Sequence, residues 1–168
     1  MIELYQNLLT SEEKEFLKNK CDNFIETHSP FVDGNTNRSY HKYKLDETSE
    51  LLDLQSRFLS FVRKQCGPEI EFVSFVINRA DINTNKNDTY HTHKNTAFAL
   101  VTYLNEDFTG GDFVYFLDNK HTHIPINEGL SILMNNEIPH KITHVTSGVR
   151  FSFACFFNYI PKTKKSLI

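Results

Sequence analysis

PHKITHVTSGVRFSF, residues 139–153, is the stretch on which the reading of this chain turns. Pro139 fixes the approach to His140, and Lys141 to Val145 resume a strand, so an imidazole stands at a strand's beginning. Ten residues on, Arg150 opens the strongly apolar run FSFACFF. A guanidinium pointing from such a strand into a protein interior is costly unless an anion pairs with it. Arginine also grips carboxylates with two parallel hydrogen bonds, which lysine cannot do. An arginine facing water at the same strand start would carry no function.

Working outward, the whole second half has strand character. EFVSFVINRA (71–80) is rich in β-branched and aromatic residues, and the polar loop DINTNKNDT separates it from YHTH (90–93). TAFALVTYLN (96–105), the turn EDFTGG, DFVYFL (112–117), HTHIPI, SILMNN, HKITHV and VRFSFACFFNYI follow. Seven or eight short strands with turn residues between them predict a sandwich or barrel. The first third reads as helical. Thr10 and Glu13 are spaced as a capping box, with Leu8 or Leu9 before it and Phe16, Leu17, Phe24 and Ile25 in an apolar stripe. Residues 28–43 read as a loop with at most a short extended piece. A second helix is expected over Ser49–Cys66, stopped by Gly67-Pro68. The expected class is therefore α+β, mainly β with N-terminal helices. One domain over 1–168 is expected, with a helical lead-in over 1–68, a β core over 69–160 and a frayed basic tail.

Three histidine groups lie in the strand region: His91/His93, His121/His123 and His140/His144. Residues two apart on a strand face one side, so His91 and His93 can address one metal ion. A third ligand must then come from a remote strand, and His140 is the candidate. His121 and His123 have the same spacing but flank the turn LDNK, which predicts a solvated hairpin with substrate contact as the lesser reading. His28 and His41 lie in a loop of no clear chemistry. The competing account of all eight histidines is that they are ordinary surface or hydrogen-bonded core residues.

Composition limits the function classes. A length of 168 residues with 39% hydrophobic content suffices for one core, and 15 Phe against no Trp makes phenylalanine its main filler. The formal net charge of -3, with Lys and Arg dispersed, disfavours a nucleic-acid partner. No apolar run approaches a membrane span, and the N-terminus lacks the pattern of a secretory leader. Cys21, Cys66 and Cys155 are odd in number and read as reduced, mostly buried thiols, which with the missing leader predicts a cytoplasmic protein.

Taken together, YHTH, VTYLN, EDFTGGDFVYF, HIPINEGLSIL and PHKITHVTSGVRFSF resemble, in order and spacing, the 2-oxoglutarate- and Fe(II)-dependent dioxygenases of the prolyl 4-hydroxylase-like branch. ELYQNLLTSEEKEFL (3–17) is similar to the helical lead-in of that branch. The resemblance implies a double-stranded β-helix, a jelly-roll, cupin-like core. It implies Fe(II), 2-oxoglutarate and O2 as cofactor and cosubstrates, with ascorbate an optional addition. It further implies hydroxylation of a C–H bond in a protein, peptide or small-molecule substrate, with release of succinate and CO2. By position, His91 and His140 are metal ligands, Arg150 binds the far carboxylate of 2-oxoglutarate, and Tyr103 matches a tyrosine that in some members bonds the same carboxylate. No catalytic residue beyond the metal ligands is implied.

The departure is His93, which stands where the family carries Asp or Glu; shifting the register puts Asn95 there instead. His93 is thus expected to be a third, neutral ligand. A cupin-type three-histidine barrel without 2-oxoglutarate chemistry, or a module that keeps the fold without turnover, are the alternatives.

Overall fold

The computed structural model describes residues 1–25, 31–33, 38–44, 48–84 and 89–161, and the side chains of these outside 23–47. Its helices begin as the sequence predicts. Thr10 N donates to Glu13 Oε2 at 2.8 Å and Glu13 N to Thr10 Oγ1 at 3.2 Å. This reciprocal cap opens α1, Ser11–Ile25. Helix α2, Ser49–Cys66, buries Leu51, Leu54, Phe58 and Val62, spaced to form one face, and Gly67 closes it by donating to Arg63 O at 3.0 Å. Phe24 and Ile25 of the predicted α1 stripe have side chains outside the described residues, as has His41, and His28 lies outside them altogether. No helix among the described residues is long and apolar enough to cross a membrane.

The strands, in chain order, are β1 Ile2–Gln6, β2 Phe31–Asp33, β3 Arg38–Lys44, β4 Ile70–Asp81, β5 Phe98–Tyr103, β6 Phe108–Gly110, β7 Phe113–Leu117, β8 Lys120–Ile124, β9 Leu130–Asn135, β10 His140–Ile142 and β11 Val145–Tyr159. The large sheet runs β1-β9-β5-β11-β4-β3-β2, with β6 also on β11; the small sheet runs β10-β7-β8. Every named strand pair is antiparallel. Strand β11 is the spine. It bonds β4 over Val149–Tyr159, β5 over Ser152–Phe157 and β6 near its start.

Because side chains alternate along a strand, the large sheet has two unlike faces. Phe151, Phe153, Cys155 and Phe157 of β11 join Leu17, Leu51, Phe58 and Val62 in a core between sheet and helices. On the other face Ala99, Tyr103, Ile132 and Met134 meet Phe113, Ile124 and Ile142 of the small sheet. Two antiparallel sheets facing each other across an apolar layer, with helices outside the larger one, make the jelly-roll core predicted above.

The first 68 residues hold more than helices. Strand β1 pairs with β9, and β3 pairs with β4, so the stretch read as a helical lead-in extends the large sheet at both edges. IELYQ and RSYHKYK lack the clean apolar alternation of a half-buried strand, because each lies toward a sheet edge. Eleven strands are therefore found among the described residues where seven or eight were expected. The predicted hairpin at LDNK is present: Asp118 and Asn119 both adopt positive φ, 51° and 58°, as a two-residue hairpin turn requires.

Gly110 shows how tightly the β6–β7 corner is drawn. Its φ is +75°, and a Cβ there would stand 2.0 Å from His144 O. Gly110→Ala is expected to cost at least about 2 kcal/mol, read by urea denaturation; a loss within experimental error would show that the corner relaxes freely.

Candidate metal centre

Backbone pairing brings the histidines together. His91 N donates to His140 O at 2.9 Å and His140 N to His91 O at 3.0 Å, an isolated antiparallel bridge. Two residues on, His93 N donates to Asn136 O at 3.0 Å. Pro139 O accepts from Phe116 N at 2.8 Å, which sets the strand carrying His140 against β7. The result is one cluster: the ligand nitrogens of His91, His93 and His140 lie within 4.8 Å of one another. Imidazoles sharing a first-row ion at about 2.1 Å stand roughly 3 Å apart, so small side-chain rotations suffice to close the site on an ion.

The rings are held from behind. His140 is buried, and its Nδ1 donates to Ile138 O at 2.8 Å; His91 Nδ1 donates to Thr89 O at 3.2 Å. A carbonyl can only accept, so each bond puts the proton on Nδ1 and the lone pair on Nε2, the usual outer-shell device of a metal histidine. Phe113 stacks on His140 with centroids 5.4 Å apart and planes at 21°, and Phe156 meets His93 edge-on at 5.3 Å. The donor set is three neutral imidazoles with apolar rings beside them, which fits a divalent first-row metal.

Arg150 and Tyr103 occupy the same inner face of the large sheet. Arg150 is 4% exposed and donates from Nη1 to Gly111 O at 3.3 Å. It alternates with the helix-facing Phe151, and Ser152 beside it pairs with Tyr103, which is buried between the sheets. Gly111 is shaped to the arginine: a Cβ there would lie 3.2 Å from Arg150 Cδ. The Gly-Gly pair therefore does more than turn the chain, since it gives the guanidinium stem its room.

In the sequence Asn105 stands only as the last residue of VTYLN. In the structure its amide spans Arg150's neighbours. Nδ2 donates to Val149 O at 2.7 Å, and Oδ1 accepts from Phe151 N at 2.9 Å. One side chain thus imitates a paired strand across the residue that matters. An asparagine at the end of a buried strand, where the ladder runs out, is the clue that was available.

The other histidines with described side chains, His121, His123 and His144, are not in the cluster. His121 and His123 are exposed on β8, as predicted. His121 Nδ1 and Tyr90 Oη are 2.6 Å apart, with the Phe116 ring tilted against His121 and Lys141 Nζ 4.9 Å from the Tyr90 ring. Tyr90 and Lys141 each precede or follow a cluster histidine by one residue, so this group lies on the outer side of the small sheet. His144 contributes its carbonyl, accepting from Gly111 N at 3.2 Å. Asn95, the alternative register, accepts from Asn158 Nδ2 through its carbonyl at 3.4 Å.

Two segments, 81–89 and 30–43, are expected from their position in the sequence alone to flank a substrate channel, and the first is described at both ends. Asp81 accepts from Arg79 at 2.7 Å and from Asn83 N at 2.8 Å. Burial raises the pKa of its carboxyl, but these bonds outweigh burial and hold it below the ordinary value. Residues 85–88, and 34–37 of the other segment, lie outside the described residues.

No family model matches the sequence, and no curated protein matches it. Solved structures do match. An oxidoreductase of the 2OG-Fe(II) oxygenase family from Burkholderia pseudomallei superposes with a TM-score of 0.76 at 16% identity, over 94% of this chain and 84% of that one. The fold is that of the 2-oxoglutarate and Fe(II) oxygenases. A Trichoplax adhaerens prolyl hydroxylase, in complex with a hypoxia inducible factor peptide fragment, gives 0.73 at 14% identity over 94% and 83%. HygX from Streptomyces hygroscopicus, with nickel, 2-oxoglutarate and hygromycin B bound, gives 0.68 at 14% over 97% and 84%. At these identities the likeness is one of fold.

In this oxygenase fold the Asn105 clamp has a measurable cost of removal. Asn105→Ala leaves the Val149 carbonyl and the Phe151 N–H without the amide, and should destabilise the protein by about 1–3 kcal/mol in denaturant titration. An unchanged midpoint would mean that water replaces the amide at no cost.

Proposed function

We propose that this chain is an Fe(II)- and 2-oxoglutarate-dependent oxygenase that hydroxylates a C–H bond, with His91, His93 and His140 as metal ligands. The observation that supports this best is the three-histidine cluster standing in a jelly roll whose inner face also buries Arg150. When bound, Fe(II) with 2-oxoglutarate and O2 would supply oxidation of an unactivated C–H, with succinate and CO2 released.

The protein's own part is to hold and orient. The Nδ1–H bonds of His91 and His140 put the lone pairs on Nε2, and these would hold the ion. Arg150 would receive the far carboxylate of 2-oxoglutarate as a bidentate pair, with Tyr103 Oη donating to the same group. Phe113 covers the ring of the buried His140, and Phe156 borders that of the half-buried His93. The substrate class is a protein or peptide, or a small molecule; a peptide bound by one structural neighbour and hygromycin B by another support keeping both. A peptidyl proline is the first to test. The free thiols Cys21, Cys66 and Cys155 suit the reducing cytoplasm.

His93 favours one rival, a cupin-type metal barrel that works without 2-oxoglutarate. Succinate release that depends on 2-oxoglutarate and the metal separates the two, and its absence with a range of peptides would count against the oxygenase.

Two sets of variants test the residue roles. His140→Ala is expected to lower metal affinity by orders of magnitude, and metal content equal to wild type would remove it from the site. His93→Ala should weaken metal binding, while His93→Asp, which restores the usual 2-His-1-carboxylate set, keeps it. Arg150→Ala should retain metal and lose about 2–5 kcal/mol of 2-oxoglutarate binding by calorimetry. Equal affinity would make Arg150 structural.

A further inference from the structure

His91 and His140 hold each other through their two-bond bridge, but His93 lies beyond it. We propose that Asn136 is the positioning residue that keeps His93 in the metal cluster. This rests on His93 being a ligand, as proposed above.

The segment from His93 to Ala97 leaves the cluster and returns to β5, and Asn136 closes it at both ends. His93 N donates to Asn136 O at 3.0 Å, and Asn136 N donates to Ala97 O at 2.9 Å. Between these ends Asn136 Nδ2 donates to Thr96 Oγ1 at 2.6 Å. One residue therefore staples the segment three times, twice by main chain and once by side chain.

Asn136 is itself fixed to the barrel. It directly follows β9, whose last residue Asn135 pairs with Phe98. Asn135 then caps the turn that leads to His140, its Oδ1 accepting from Glu137 N at 2.9 Å and its carbonyl from Ile138 N at 3.2 Å. The base of the staple is thus continuous with the strand end and with the approach to the distal histidine.

Asn136 is 0% exposed, and a fully buried amide is costly unless bonded. Its Oδ1 takes no hydrogen bond among the described residues, so the Thr96 contact is what orients the amide. A leucine could fill the space, and an alanine would leave part of it empty, but either would leave the Thr96 hydroxyl without this donor. The segment carrying His93 would then keep its two end bonds and, between them, only the long bond from Asn158 Nδ2 to Asn95 O at 3.4 Å. Its main-chain angles could drift, and a drift of a few tenths of an ångström at His93 Cα is amplified at the ring nitrogen. A residue that merely fills the core would instead affect stability alone.

The test uses the full chain loaded with Co(II), whose absorption bands report coordination number and geometry. Asn136→Ala is expected to weaken Co(II) binding about 10- to 100-fold, the range for outer-shell residues of metal sites. Its Co(II) spectrum should move toward that of His93→Ala. Thr96→Val, which removes the same bond from the other side at nearly constant shape, should shift both readouts in the same direction, and it serves where Asn136→Ala does not fold. In a His93→Ala background neither change should lower affinity further, because there is no ligand left to position. If His93→Ala weakens binding while Asn136→Ala and Thr96→Val leave affinity and spectrum unchanged, the positioning role is overturned and the three-histidine site stands. Losses that multiply in the double variants also overturn it, since they mark general destabilisation. If His93→Ala itself leaves Co(II) binding unchanged, the ligand assignment fails and the positioning role with it.

Discussion

The bridge between His91 and His140 is the constraint on which the site depends. Two short backbone hydrogen bonds join positions 49 residues apart in the sequence. An antiparallel bridge brings its two residues' Cα atoms to roughly 5 Å and sends both side chains to the same face. The two imidazoles therefore share a side of the small sheet without any help from a metal, their centroids 4.4 Å apart. Because main-chain groups form the link, the proximity of these rings is a property of the fold, and metal binding does not have to create it. That lowers the ordering cost that a site made of flexible loops would bear on binding.

The second requirement is an inner wall that tolerates charge, and β11 supplies it through its division of faces. Its odd-numbered residues from Phe151 to Phe157 anchor the sheet on the helices, so the strand is held firmly by apolar burial on one side. That leaves the even-numbered side to carry Arg150 and Ser152 without the strand losing its place. The local ladder bends to the same end. Asn105 replaces a missing strand partner on both sides of Arg150, and Gly111 clears space along its stem.

How much of this could be read from the sequence follows from the range of the interactions. Helix α2 was legible to the residue, because its apolar spacing and Gly67 stop are local. The capping box at Thr10 and Glu13 was equally so. The histidines of the cluster were legible as candidates from the two-residue spacing of His91 and His93 and from Pro139-His140. Their convergence was not, since it depends on pairing between remote segments. His93 reaches the cluster by a route other than the same-face strand spacing, because its N–H bonds to Asn136 O outside any regular strand. Strands β1 and β6 were missed, and residues 28–43, read as a loop with at most a short extended piece, hold β2 and nearly all of β3, because a strand at or next to a sheet edge, or a three-residue one, is stabilised by its neighbour's backbone more than by its own pattern. Asn105 and Asn136 were invisible as clamps for the same reason. An asparagine's propensity says turn, and only the partners at 149, 151, 93, 96 and 97 reveal another use.

The chemistry of the site narrows further on electrostatic grounds. Three imidazoles are neutral donors, so a divalent ion bound by them keeps its full +2 charge, whereas a carboxylate in place of His93 would bring it to +1. Arg150, on the inner face of the opposite sheet, adds a cation that water cannot screen well at 4% exposure. Under the proposed function a bound divalent ion and the Arg150 guanidinium, on facing sheets, would be two positive centres in a weakly polar interior, where their repulsion is costly and water offsets little of either charge. A ligand with negative charge at both ends relieves both costs at once, one end at the metal and the other in the guanidinium fork. A dicarboxylate such as 2-oxoglutarate meets that requirement, and a neutral or singly charged molecule meets only half of it. If His93 is the third ligand, as proposed, a dianionic cosubstrate would offset the charge that a carboxylate at that position would otherwise have offset in part.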